Sequence, residues 1–111
     1  MKRILPSLRE KKRYIVFEIL GNKINEKIAQ KEVKNNLLKF LGELTISRAQ
    51  IKIIKDSWKD NKGIIRVNVK YLNDTKLALG LIKQIDNKKV IINVTGVSGI
   101  LKKAKQKFVE G

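Results

Sequence analysis

A mixed α+β domain built on one four-stranded antiparallel sheet is the fold class this chain predicts. Three observations lead there. Four segments rich in β-branched residues alternate apolar and polar side chains, the mark of half-buried strands. Two segments between them repeat apolar residues at helical spacing. The resulting order, strand–helix–strand–strand–helix–strand, is that of the split βαβ or ferredoxin-like arrangement, which sets both helices on one face of the sheet. With 111 residues, 42% of them hydrophobic, there is material for one core and not for two. Residues 1–111 are therefore expected to form a single domain.

The first strand spans Arg13 to Leu20 and stops at Gly21-Asn22. Ile15, Phe17 and Ile19 share one face; Tyr14, Val16 and Glu18 share the other. A helix then begins between Asn25 and Ile28 and ends near Leu44. Val33, Leu37, Phe40, Leu41 and Leu44 form its apolar stripe, with Lys31, Glu32, Asn35, Asn36 and Lys39 opposite. Gly42 weakens its last turn or marks close packing. A hairpin follows, with arms Gln50 to Lys55 and Gly63 to Lys70 and a connection from Asp56 to Lys62. Asp60-Asn61-Lys62-Gly63 has turn chemistry, because Asn and Gly tolerate positive φ. Ile65, Val67 and Val69 lie on one face of the second arm.

Asn73 or Asp74 caps a second helix near residues 74–86, whose apolar face is Leu77, Ala78, Leu81, Ile82 and Ile85. Lys89 to Thr95 is the fourth strand, with Val90, Ile92 and Val94 alternating, and Gly96-Val97-Ser98-Gly99 breaks it. A last helix over residues 98–109 docks by Ile100, Leu101, Ala104 and Phe108 and turns its lysines outward.

Charge is concentrated at the two ends. The formal net charge is +16 and the pI about 10.3. Lys2, Arg3, Arg9, Lys11, Lys12 and Arg13 face a single acid, Glu10, in the first block; Lys102, Lys103, Lys105 and Lys107 face none in the last. Positive charge grouped outside a packed core calls for a polyanion, and nucleic acid is the commonest. An anionic membrane surface would serve the same charge. However, no apolar run approaches the roughly 20 residues of a bilayer span, and the basic start lacks a signal peptide's apolar segment. No membrane partner and a cytoplasmic location are expected.

The chain has no Cys and no His. That removes thiolate chemistry, the commonest general base and the commonest zinc ligands. Its best acid pair, Asp56 and Asp60, sits in a turn. No catalytic residue and no protein-bound metal or cofactor are expected.

Four places are candidate sites. On the second sheet face, Tyr14, Val16, Ile64 and Ile91 are joined by Glu18, Arg66, Asn68, Asn93 and Thr95, a mix too apolar for full exposure. Either the terminal helix or the N-terminal arm crosses it, or it meets a protein or RNA. RNA-recognition domains of this topology stack bases on aromatics of a K/R-G-F/Y-G/A-F-V-x-F/Y strand. Here that strand reads Lys62-Gly63-Ile64-Ile65-Arg66-Val67-Asn68-Val69, so the aromatic platform is missing and the face suits a protein partner. The arm, residues 1–12, offers Arg9, Lys11 and Lys12, continued by Arg13, as a phosphate strap or as a merely solubilising tail, and Pro6 discourages helix there. At the other end, Ser98 and Gly99 before Lys102 and Lys103 could hold an anion at a helix start or form an ordinary cap. Trp58, near a hairpin tip, either folds over the core edge or anchors a partner.

Four blocks in matched order carry a resemblance: Pro6 to Tyr14, Leu41-Gly42-Glu43-Leu44, Gly63-Ile64-Ile65-Arg66, and Gly96 to Lys102. Together they resemble archaeal ribonuclease P protein component 2, the small RNase P/MRP protein subunit family. The resemblance runs from Pro6 to about Phe108. It implies an RRM-like α/β fold and a place in the ribonucleoprotein that removes the 5′ leader from precursor tRNA. It also implies the RNase P RNA and other RNase P proteins as partners. Among these is the TIM-barrel-like component 3, in a complex that could be a heterotetramer. Catalysis would rest with the RNA and its Mg²⁺. The alternative is another small basic RNA-binding protein, such as a ribosomal protein of the same topology.

Overall fold

The computed structural model describes residues 11–110, with side chains as far as residue 107. Four strands form the main sheet: β1 (Lys12–Leu20), β2 (Lys52–Ile53), β3 (Lys62–Asn68) and β6 (Ile91–Ser98). Their order is β2-β3-β1-β6 and every pairing is antiparallel, as the split βαβ pattern requires. Helices α1 (Glu26–Ala49) and α2 (Leu72–Gly80) cover one face. A short hairpin, β4 (Gln84–Ile85) and β5 (Lys88–Lys89), lies apart from the sheet. Helix α3 (Leu101–Ala104) continues as a π-helical segment, Lys105–Glu110.

The main core lies between the sheet and the two long helices. Ile15, Phe17 and Ile19 of β1 meet Ile65 and Val67 of β3, Val33 and Leu37 of α1, and Ala78 and Leu79 of α2. Asn25 caps α1, its side chain accepting from the Lys27 and Ile28 N–H groups. Asn61, at φ 62° in the β2–β3 turn, holds the start of that helix in place. Its amide donates to the Ile19 and Asn22 carbonyls and its Oδ1 accepts from the Ile24 N–H.

The chain departs from the sequence expectations at four points. First, α1 runs past Leu44 to Ala49, broken by a kink at Gly42 (φ 84°, ψ 158°). The kink rotates the stripe for the residues that follow it. Val33 and Leu37 are buried and Leu41 partly so, but Phe40 and Leu44 are exposed and Ala49 turns inward. Second, α2 stops at Gly80 rather than near residue 86. Asp86 and Asn87 both take positive φ and close the β4–β5 turn. Ile82 and Ile85 are buried as expected, whereas Leu77 and Leu81 are exposed.

Third, the Gly96 segment does not end the last strand. One extra residue near Thr95 shifts the register between Val16↔Gly96 and Phe17↔Val94, a β-bulge. The bulge exchanges the faces: Ile92 and Val94 point into the core before it and Val97 after it. Fourth, the terminal helix has only one α-helical turn before the π segment, and Ser98 belongs to β6. Ile100, assigned to its docking side, is exposed. The side chain of Phe108 lies outside the described residues.

Candidate nucleic-acid interface

The second sheet face is ordered in rows, each set by cross-strand register. At one end Glu18 stands between Lys62 and Asn93. Val16 and Ile64 form the next row and are fully buried beneath Ala104, with Leu101, Ile54 and Tyr14 around them. The terminal helix thus closes the apolar centre of the face. Val16 and Ile64, read as partner contacts, are covered by the chain itself and offer nothing to a second protein. Ile91, from the same set, is 64% exposed at the far corner beside Leu20.

The third row is cationic: Lys52, Arg66, Tyr14 and Ser98 follow one another across β2, β3, β1 and β6. Three strand spacings make it about 14 Å long. Beyond it Lys12 faces Asn68. Lys12 also contacts the Gln50 side chain.

The described part of the first basic block, Lys11 to Arg13, therefore meets the last block at one end of the sheet. β1 begins at Lys12, next to the point where β6 delivers the chain to α3. The Arg13 guanidinium donates to the Lys12 carbonyl at 2.9 Å, and a Cβ placed on Gly99 would lie 3.7 Å from it. Lys102 and Lys103 are exposed and Lys105 is half-buried. Mutual repulsion of such a cluster weakens the free fold slightly, and a bound polyanion removes that cost.

Other expected site residues fall differently. Arg9 lies outside the described residues. Lys12 and Arg13 belong to a strand, because Lys12↔Asn68 and Arg13↔Val67 pair with β3 and the Val69 N–H donates to the Lys11 carbonyl; they are not part of a loose arm. Ser98 does not leave a helix start open for an anion. Its Oγ accepts from the Ile100 N–H at 3.1 Å and donates to the Ile100 carbonyl, and the cap residue is Ile100. Trp58 folds back over the core edge, its ring 6.3 Å from Phe17 in an edge-on arrangement, so it does not project as an anchor. Among the described residues no group of three or more Asp or Glu side chains could hold a metal ion, and no helix is long and apolar enough to cross a membrane.

Sequence reasoning passed over Lys52 and Arg66. Alternation already sets Arg66 on this face, but a single arginine among aliphatic and amide side chains forms no motif. What marks the row is the pairing register, which needs β2 to be placed.

Comparison with known proteins gives this geometry its setting. The Rpp14/Pop5 family pattern matches residues 13–109. Ribonuclease P protein component 2 of Methanosarcina mazei is 35% identical over 111 residues, covering 99% of this chain and 94% of that protein. Its counterpart in Pyrococcus furiosus is 38% identical over 109 residues, covering 97% and 91%. A chain in the cryo-EM structure of yeast ribonuclease MRP shares the fold, with a TM-score of 0.65 at 11% identity over 95% of this chain and 88% of that one. The family match takes in all of the sheet but Lys12, both covering helices and the basic C-terminal block, and so the chain belongs to the Rpp14/Pop5 family of RNase P/MRP protein subunits.

Proposed function

We propose that this chain is a non-catalytic protein subunit of ribonuclease P, in which it neutralises phosphates of the catalytic RNA and so favours the RNA fold that removes the 5′ leader from precursor tRNA. One observation carries the reading: identity of 35–38% with proteins named ribonuclease P protein component 2 extends over nearly the full length of both chains. The charge fits, because Lys12, Arg13, Lys102, Lys103 and Lys105 are gathered at one end of the sheet, where a single RNA strand can meet them. A chain without His or Cys suits a role in which RNA-bound Mg²⁺ supplies the hydrolytic chemistry.

Partner proteins, component 3 among them, dock on the outer helical layer in this reading, since the sheet face is closed by α3. Leu44 at 64% and Leu77 at 67% exposure are the most open apolar side chains of α1 and α2, more than a solvated helix face needs. A groove of about 370 Å³ on this layer has Phe40 and Leu81 among otherwise polar walls that include Glu32, Lys39 and Lys83.

Reconstitution tests the proposal. The RNase P RNA alone, with this chain, with component 3, and with both is assayed for 5′-leader removal at limiting Mg²⁺. Marked rescue when both proteins are present is the expected result. No rescue by the pair would refute the reading, and cleavage by the protein without any RNA subunit would replace it with a nuclease.

A further inference from the structure

Strand β3 carries two hydrogen-bond donors that find no partner among the described residues. Arg66 Nε and Asn68 Nδ2 are both buried without an acceptor there. Asn68 is only 1% exposed. Its orientation is fixed, because its Oδ1 accepts from the Lys70 backbone N–H at 2.9 Å; the amide nitrogen must therefore point the other way. Buried donors without acceptors are uncommon, since each loses its hydration and gains nothing.

The two residues are two apart on one strand and so share the second face. Their cross-strand neighbours on that face are Lys52 and Tyr14 beside Arg66 and Lys12 beside Asn68. Among the described strand residues the acid of this face, Glu18, stands opposite Lys62 in the register, at the other end of β1 and β3. The π-helical segment Lys105–Glu110 packs against β3, which brings the C-terminal lysine block to the same strand. Segments of π-helix are rare and recur at functional sites.

We propose that the seam between β3 and the terminal helix is a phosphodiester-binding subsite, in which Arg66, backed by Asn68 and flanked by Lys52 and Lys12, donates to phosphate oxygens of an RNA strand. The inference rests on the RNase P reading and adds a residue-level site to it. Both unused groups are donors, and the charged cross-strand neighbours among the described residues are Lys52 and Lys12, so the ligand offers acceptors and is anionic. A guanidinium suits phosphate in particular, because its fork of N–H groups can bind two oxygens at once. Both orphan donors are screened from solvent in the free chain. The backbone of the π-helical segment lies against the same strand, and the proposal requires it to shift when RNA binds.

The test compares Arg66→Met with the quadruple change of Lys102, Lys103, Lys105 and Lys107 to Ala, using the full chain and RNase P RNA transcript. Salt dependence of binding is measured, and the Arg66 Nε–H resonance of the wild type is followed as RNA is added. Losing one phosphate contact lowers the log–log salt slope by about 0.7–0.9. The expected result is that decrease for Arg66→Met at an unchanged or raised melting temperature, together with a shifted Nε–H resonance. An unchanged slope and an unmoved resonance, with the quadruple variant still flattened, would overturn the subsite and leave the RNA reading standing. If neither variant changes the slope, the RNA reading itself fails. RNA binding kept but component 3 binding lost in Arg66→Met would assign the guanidinium to a protein carboxylate and also overturn the subsite. If Arg66→Met proves unstable, the wild-type resonance decides alone.

Discussion

Gly63 shows how closely single residues set this fold. A Cβ there would lie 2.8 Å from Phe17 Cζ and 3.1 Å from Trp58 Cε3, closer than packed atoms tolerate. Glycine at this position lets the Phe17–Trp58 pair close over the start of β3. Gly63→Ala is expected to lower stability by about 1–3 kcal/mol through overpacking, read from the midpoint of urea unfolding. Asn61 is the second such residue. Its side chain joins the β2–β3 turn to the β1–α1 connection through three hydrogen bonds, and its positive φ suits Asn better than most residues. Asn61→Ala is expected to cost about 2–3 kcal/mol, since it leaves backbone groups of Ile19, Asn22 and Ile24 in need of water. A loss below 0.5 kcal/mol in the same experiment would show that solvent already serves those groups.

Elements show where sequence reasoning ran out. The strand faces were legible, because period-two alternation is unambiguous: Ile15 and Phe17 went to one side and Tyr14 and Val16 to the other, as observed. The length of α2 was not. Ile82 and Ile85 fit a continuing helix and a hairpin equally well at three-residue spacing, and only Gly80 with Asp86-Asn87 favoured the hairpin. The bulge at Thr95 was invisible for a similar reason, since one extra residue leaves no mark until a partner strand fixes the register. At Gly42 the ambiguity was conformational. Its φ and ψ lie in a region open essentially to glycine alone, and nothing lies within 4 Å of a Cβ built there. Gly42→Ala is therefore expected to cost about 1–3 kcal/mol from backbone strain rather than from a clash. Equal stability would mean that α1 straightens without penalty and that Leu44 is free to return to the core stripe.

In the proposed function the whole molecule divides its surface between two kinds of partner. The rim where β1 begins and β6 ends gathers the cations, and the helical layer on the opposite side exposes Leu44, Leu77 and Leu81. The charge blocks could be read from the sequence, but their convergence could not, because it depends on β1 and β6 being neighbours. Leu77→Asp is expected to leave the melting temperature within a few degrees, since the side chain is already two-thirds exposed, while weakening association with component 3 at least tenfold by calorimetry. Full affinity in that variant would move the protein contact off the helices.

The central claim is that RNA lies against the cationic rim. Protein–RNA crosslinking of the reconstituted particle, with peptides identified by mass spectrometry, tests it most directly. The account predicts adducts on Lys12, Arg13 and the Lys102–Lys107 block, and none on the outer faces of α1 and α2. Adducts confined to those helices, with the rim unmodified, would contradict it.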